Sequence, residues 1–351
     1  MKTRGWASRP YPKACMPSLD SPSLVTGATG FIGGHLAERL LAMGQPLRLL
    51  VRDPSRLPPL LRNGADIIQG NLEDADSLLP AVQGARWIFH CAANVRTWDL
   101  PQNYHAVNVA GLGHLLRAIE QAGQPPQRFV HLSSVDVYGF PKTPCDEDCP
   151  ANGGDFAYGQ SKLQGESLLR EQAARMHLSY SVLRPTNVMG PRSSFIQRIG
   201  DELRRGLMLT IHGGVEDCGF LAVDNLVDCM LWAAQAEAAS DQCYNVADPE
   251  PISWRRFLDD FRTGIQGKGV VLDLPYGLAN AVAAVIETPY RWLGSAREPL
   301  LHRLLVRIFG RTCGHRADRI ATAGGPVGRV SYAQAMRESI AWYRGESGAG
   351  W

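Results

Sequence analysis

The stretch Leu24-Val25-Thr26-Gly27-Ala28-Thr29-Gly30-Phe31-Ile32-Gly33 constrains this chain more than any other. A short apolar run feeds a glycine-rich turn, and a helical pattern starts at once. That reads as a strand, a tight turn and a helix N-terminus. The turn needs residues that tolerate unusual backbone angles. Gly30 keeps a side chain out of the way of a pyrophosphate, and Gly33 lets the helix approach the strand. The helix start offers free N–H groups and partial positive charge to phosphates. The spacing is G-x-x-G-x-x-G rather than G-x-G-x-x-G. Candidate dinucleotide contacts are therefore Gly27, Thr29, Gly30, Phe31, Ile32 and Gly33.

Beyond that turn, strand-like and helix-like segments alternate. Phe31 to Met43 is helical, with Ile32, Leu36, Leu40 and Leu41 at helical spacing. Leu47–Val51, Asp66–Gly70, Arg86–Cys91 and Arg128–Leu132 read as strands. Repeated β-α units predict a parallel, doubly wound α/β sheet of the Rossmann type. Small residues Ala92 and Ala93 after the fourth strand leave room for a ribose and nicotinamide. Asn71 and Leu72 follow the third strand, where an adenine edge belongs.

The loop after the second strand discriminates between dinucleotides. A carboxylate there bonds the ribose 2′-hydroxyl of NAD, whereas an arginine accommodates the 2′-phosphate of NADP. Val51 ends the strand and Arg52 follows, with Arg56 in the same loop. This favours NADP(H), and Asp53 keeps NAD as the alternative.

Tyr158 and Lys162 lie four apart at the start of a predicted helix, so they share a face. A neighbouring ammonium favours a phenolate and fits Tyr158 for proton transfer. With ten Tyr and only five Lys, chance supplies about 0.14 such pairs in the chain. The pair follows the glycine turn and a strand ending in Ser133-Ser134, which makes the three features specific together. The serine would hydrogen-bond the same substrate oxygen. Asn108, inside the helix predicted from Tyr104 to Ala122, is a candidate for holding a proton-relay water.

On these residues the chain resembles the extended short-chain dehydrogenases/reductases, the superfamily of NAD-dependent epimerases, dehydratases and 3β-hydroxysteroid-type dehydrogenases. The similarity rests on Thr26 to Gly33, His90 to Ala93, Asn108 to Gly111, Ser133 to Gly139, Tyr158 to Lys162, Arg184 to Pro191 and Tyr244 to Val246. It implies Ser134 rather than Ser133 as the catalytic serine, Tyr158 as acid/base, and Lys162 as its activator and ribose ligand. It also implies cofactor contacts at Pro185 and Val188, and substrate contacts at Val95, Trp98, Asp136, Asn187 and Phe220. A homodimer formed through the helices around 104–122 and 157–175 is the expected assembly.

Lys2, Arg4, Arg9 and Lys13 interleaved with Pro10, Pro12 and Pro17 read as a basic extension over 1–22, expected to be disordered. The resemblance divides the rest into a dinucleotide-binding domain over 23–190 and a mainly helical substrate lobe over 191–345, with 219–247 returning to the core. In sugar-nucleotide enzymes an arginine commonly lies two residues before the position of Phe220; Cys218 stands there instead, with Arg192 as a potential substitute. Leu274 to Phe309 is apolar and alanine-rich, like the tail of 3β-hydroxysteroid dehydrogenase-like and 3-oxoacyl-chain-reducing members. The expected reaction is therefore hydride transfer between a nicotinamide and an apolar secondary alcohol or ketone. A nucleotide-sugar epimerase or dehydratase retaining NAD is the alternative.

The bulk composition limits the partners. A net charge of +2 argues against binding nucleic acid through phosphate contacts. No apolar run reaches the ~18 residues of a membrane span, although Arg291, Arg297, Arg303 and Arg307 suggest a basic face for peripheral membrane contact. Eight scattered cysteines form no C-x-x-C pair, no metal site is expected, and free thiols fit a reducing cytoplasm.

Overall fold

The computed structural model describes residues 21–346, so the extension expected at 1–22 lies almost wholly outside the described residues. β1 (Ser23–Thr26) is buried along its whole length and leads through the glycine turn into α1 (Phe31–Ala42). The chain then forms β2 (Leu47–Val51), α2 (Pro59–Gly64), β3 (Asp66–Gln69), α3 (Leu79–Val82) and β4 (Trp87–His90). Next come α4 (Pro101–His105), a π-helical turn over Ala106–Ala110, α5 (Gly111–Ala122), β5 (Arg128–Leu132), α6 (Ala157–Met176) and β6 (Tyr180–Pro185).

β7 (Asn187–Met189), α7 (Ser194–Arg205), β8 (Leu207–Ile211), β9 (Phe220–Ala222) and α8 (Val223–Gln235) precede β10 (Gln242–Val246). The remainder is α9 (Trp254–Gly264), β11 (Val270–Leu274), α10 (Tyr276–Trp292), α11 (Arg303–Gly310), α12 (Asp318–Thr322) and α13 (Tyr332–Tyr343).

Seven strands make one parallel sheet in the order β10-β6-β5-β4-β1-β2-β3. The inner strands β1, β4 and β5 are buried on both faces and so read as largely apolar runs, whereas the edge strand β3 is exposed at both ends. One face packs Leu36, Ala37 and Leu40 of α1 with Leu226, Val227 and Met230 of α8. The other packs Leu112, Leu115 and Leu116 of α5 with Leu169 and Ala173 of α6. Arg39 fastens α1 to α8 through Asp224 at 2.7 Å and Asp228 at 2.9 Å.

The strand order reverses between β1 and β4, and ligands of such sheets bind at that crevice. There Thr26 pairs in register with His90. The Thr26 hydroxyl accepts from the Ala92 N–H at 3.2 Å and bonds His90 Nδ1 at 3.0 Å. Burial pushes the His90 imidazole down to about 3, so it stays neutral and structural.

After β7 a separate aromatic core forms from Trp254, Phe257 and Phe261 of α9 with Ile196, Ile199 and Leu203 of α7. Two short parallel pairs went unanticipated: β7 with β9, and β8 with β11. The sequence presents them as short apolar runs, ambiguous between strand and buried helix.

Candidate active site

Gly27 takes φ +75°, and a Cβ there would sit 2.8 Å from the Ala92 nitrogen and 2.9 Å from its Cα. The turn thus fits under the end of β4 only because Gly27 has no side chain. A Cβ at Gly33 would run into the Gly27 backbone, so α1 starts hard against the turn. The N-cap of α1 is Gly30, with no side-chain capping bond, and Thr29 and Gly30 are exposed. An uncapped helix start facing open space over small Ala92 and Ala93 fits a dinucleotide pyrophosphate and ribose.

Arg52 is exposed, and its guanidinium has no hydrogen-bond partner among the described residues. The Asp53 carboxylate is already engaged: it accepts from the Ser55 N–H at 3.0 Å and the Ser55 hydroxyl at 2.6 Å, which hold it below its ordinary value. Leu72 is buried, and its carbonyl bonds His114 Nδ1 at 2.7 Å. Asn71 follows β3 in a turn closed by Ser77, whose Oγ accepts the Asn71 N–H at 3.0 Å. Pro185 is the last residue of β6, and Val188, in β7, is half-buried.

β5 and α6 bring the three candidate catalytic groups together. Ser134 follows β5 with an extended backbone and accepts the Asp136 N–H at 3.2 Å. Its hydroxyl lies close enough to the Tyr158 phenol to favour the phenolate, but burial and the Asp136 charge outweigh it and push Tyr158 up. This reverses the lowered value expected from Lys162 alone. Lys162 is buried, with Nζ donating to the Leu132 carbonyl at 2.8 Å and lying 5.9 Å from the Tyr158 ring centroid. Burial brings the ammonium down to about 8. Burial raises Asp136 to about 6, against the pull of Ser134 and Lys162.

Asn108, the candidate for holding a relay water, has its side-chain amide engaged by protein groups. Its Nδ2 donates to the Asn94 carbonyl at 3.0 Å and to Ser161 Oγ at 2.9 Å, while Oδ1 accepts the Asn94 N–H at 2.7 Å. Ser161 in turn donates to the Tyr158 carbonyl at 2.7 Å. Both amide hydrogens are spent, so Asn108 clamps the loop after β4 onto the first turn of α6. It sits in the π-helical turn, a feature frequent at functional sites.

A cavity of about 210 Å³ opens beside Tyr158. Trp98, Tyr104 and Phe156 line it from one side; Tyr290, Arg291 and His302 close it from the other. The C-terminal segment is tied across it: Trp98 Nε1 donates to the Ser295 carbonyl at 3.0 Å and Thr97 Oγ1 to Glu298 at 2.8 Å. Burial would raise the Glu298 carboxyl, yet His302, Arg198 and Thr97 hold it down to about 2. Arg291 lies over the Trp98 ring at 5.3 Å and bonds Glu287 at 3.2 Å. His302 is buried with Nδ1 unpartnered among the described residues.

Two candidate substrate residues are corrected. Phe220 is buried in the lobe core, edge-on to Tyr332 at 5.0 Å and near Phe257 at 6.2 Å, so its ring packs β9 rather than lining the cavity. Val95 is 66% exposed and outside the cavity wall, because the loop turns it outward and Asn94 inward. Asn187 donates to the Cys218 carbonyl at 2.7 Å. Arg192 cannot replace the missing diphosphate arginine: both its terminal nitrogens hold Glu38 on α1, at 2.6 and 3.0 Å.

The reading from sequence missed Glu166. It lies one turn beyond Lys162 on the same face of α6 and is fully buried. It accepts from Ser133 Oγ at 2.6 Å, Arg184 Nε at 2.8 Å, Arg184 Nη2 at 2.7 Å and Arg170 at 2.7 Å. The i+8 spacing from Tyr158 was its available signal.

Comparison with known proteins places the chain in a family. Residues 23–247 match the model of the NAD dependent epimerase/dehydratase family. The chain is 30% identical to the 4-hydroxy-2-methyl-3-oxo-4-farnesyl-3,4-dihydroquinoline-1-oxide ketoreductase of Stigmatella aurantiaca, over 90% of this chain and 94% of that protein. It is 26% identical to the 2-alkyl-3-oxoalkanoate reductase of Shewanella oneidensis, over 85% and 79%. Among solved structures, MoeE5 in complex with UDP-glucose and NAD is 25% identical, with TM-score 0.71, covering 93% of this chain and 99% of that one. The chain therefore belongs to the NAD-dependent epimerase/dehydratase family, within the extended short-chain dehydrogenases/reductases, and is an NAD(P)-dependent enzyme.

Proposed function

We propose that the chain reduces a ketone on an apolar substrate to a secondary alcohol, with NADPH as hydride donor. The observation that carries this reading is the character of the cavity at Tyr158: aromatic walls, with its cation Arg291 held by Glu287 and Trp98 rather than offered to a diphosphate. Cys218 and the Glu38-bound Arg192 weigh the same way against a sugar nucleotide.

In this reading the substrate oxygen lies between Ser134 Oγ and the Tyr158 hydroxyl. A nicotinamide, when bound, supplies hydride to the carbonyl carbon. Tyr158 gives its proton to the oxygen as negative charge develops there. The raised Tyr158 keeps that proton at neutral pH, which suits a proton donor in reduction. Ser134 fixes the oxygen by hydrogen bonding. Lys162 spends one N–H on Leu132, and its others would hold the ribose hydroxyls. Asn108 acts as a positioning residue through Ser161.

The test is net NADPH oxidation across a panel of long-chain and cyclic ketones and UDP-sugars. Ketone-dependent oxidation is expected. Interconversion of a UDP-sugar without net NADPH change would overturn the proposal and establish an epimerase. Arg52→Ala should weaken NADPH about tenfold while leaving NADH within about twofold, because only NADPH carries the 2′-phosphate. Equal losses for both cofactors would remove Arg52 from that role.

A further inference from the structure

α10 is apolar on both sides. Its inner side packs Ala279 and Ala283 against Ile211, Leu301 and Val306. Its outer side carries Leu278, Ala281, Val282, Val285, Pro289 and Trp292, which fall on one stripe at 3.6 residues per turn. These residues are exposed, Leu278 by 54%, Val285 by 75% and Trp292 by 90%. Thr288, at the edge of the stripe, turns its hydroxyl back to the Ala284 carbonyl. Leu293 and Leu300 extend the patch past the helix end, at 83% and 86% exposed.

A helix on a protein surface normally shows water a polar face; one apolar all round is normally buried. Contiguous exposed apolar surface of this kind marks a contact with something else. The charges around it indicate what. Glu287, the acidic residue of α10, is buried and neutralised by Arg303 and Arg291. Arg311 lies over the Tyr276 ring at one end of the helix, 4.4 Å from its centroid. Arg297 is exposed beyond the other end, with no ion-pair partner among the described residues. An apolar stripe ending in an exposed tryptophan and rimmed by arginines matches the headgroup region of an anionic bilayer.

We infer that α10 and the turn after it are a docking surface for an anionic lipid membrane, with the Leu278–Val285–Trp292 stripe lying among the acyl chains. No helix among the described residues is long and apolar enough to span a bilayer, so the contact is peripheral. The basic face expected from sequence is redrawn accordingly. Arg303 and Arg291 are taken by Glu287 and Arg307 by Asp155, leaving Arg297 and Arg311 around the patch. The placement also bears on access, since Tyr290, Arg291 and Ser295 of the same segment wall the cavity at Tyr158. An apolar molecule dissolved in the bilayer would meet the cavity at the membrane surface.

The test is flotation of the full chain with vesicles of phosphatidylcholine alone or with about 30 mol% phosphatidylglycerol. Binding to the anionic vesicles is expected, and Val285→Glu or Trp292→Glu should each lower the bound fraction about tenfold. Both variants replace exposed side chains outside the cavity wall, and a circular-dichroism melt matching wild type confirms that they fold. Flotation needs no turnover, so it can fail independently of the proposed reaction. Absence of binding, or binding unchanged in both variants, would overturn the inference. So would a stable dimer that Val285→Glu converts to monomer, because the stripe would then be covered by a second copy.

Discussion

Tyr158→Phe should lower kcat/KM for ketone reduction about 10²- to 10⁴-fold, the usual contribution of a positioned proton donor. NADPH affinity, measured by fluorescence titration, should stay within about twofold, because the substitution removes one hydroxyl and leaves the ring packed near Tyr104. Loss of turnover with intact cofactor binding is the signature of a group acting on the reacting oxygen. Retention of most activity would move the proton source elsewhere, with Asp136 the next candidate in the same cluster. Lys162 adds a pH signature. Burial has lowered it to about 8, so its ammonium is lost above that pH. NADPH binding and kcat/KM should both decline as pH rises through this value. Lys162→Met should remove that limb while lowering activity across the whole range.

The inner strands of the sheet were legible because they are buried on both faces and therefore read as apolar runs, such as Leu47 to Val51. The glycine turn was legible because it is local: Gly27 must be glycine for reasons set within a few residues and one neighbouring strand. Tyr158 and Lys162 were visible because helical geometry turns a spacing of four into a shared face. Other features depend on what lies across the fold. Asn108 looked like a lone polar residue in a helix, and its partners Asn94 and Ser161 are fixed only by tertiary contact. Phe220 shares its buried face of β9 with Ala222, but which core it enters depends on α9 and α13 arriving over it. The arginines after residue 290 looked like one basic face, yet their carboxylate partners at Glu287 and Asp155 sort them onto different surfaces.

Glu166→Ala should destabilise the protein by about 3–5 kcal/mol, the usual cost of breaking a buried ion pair from one side. Glu166 is fully buried and the Arg184 side chain is 6% exposed, so solvent screens the pair little. Removing the carboxylate strands Arg184 Nε and Nη2, along with the Ser133 hydroxyl. Arg184 Nη1 also donates to Tyr138, which donates to Asn245 on β10, so the loss reaches three strand ends. A drop in Tm on the order of 10 °C is expected. Glu166→Leu combined with Arg184→Met should recover part of it, because an apolar pair leaves no charge unmet. If the double variant is as unstable as the sum of its parts, the two residues act separately and the clamp is misassigned. The pH dependence has a definite sign. Burial works to raise the Glu166 carboxyl, but Arg184, Ser133 and Arg170 together hold it below its ordinary value. Its stabilisation is therefore complete above the unfolded carboxyl value of about 4.3 and is lost as pH falls through the folded value. Glu166→Gln should flatten this part of the acid limb of the stability curve. It should also lower kcat more than it raises KM for NADPH, since α6 carries Tyr158, Lys162 and Glu166 on one face and loosening the last turns the first.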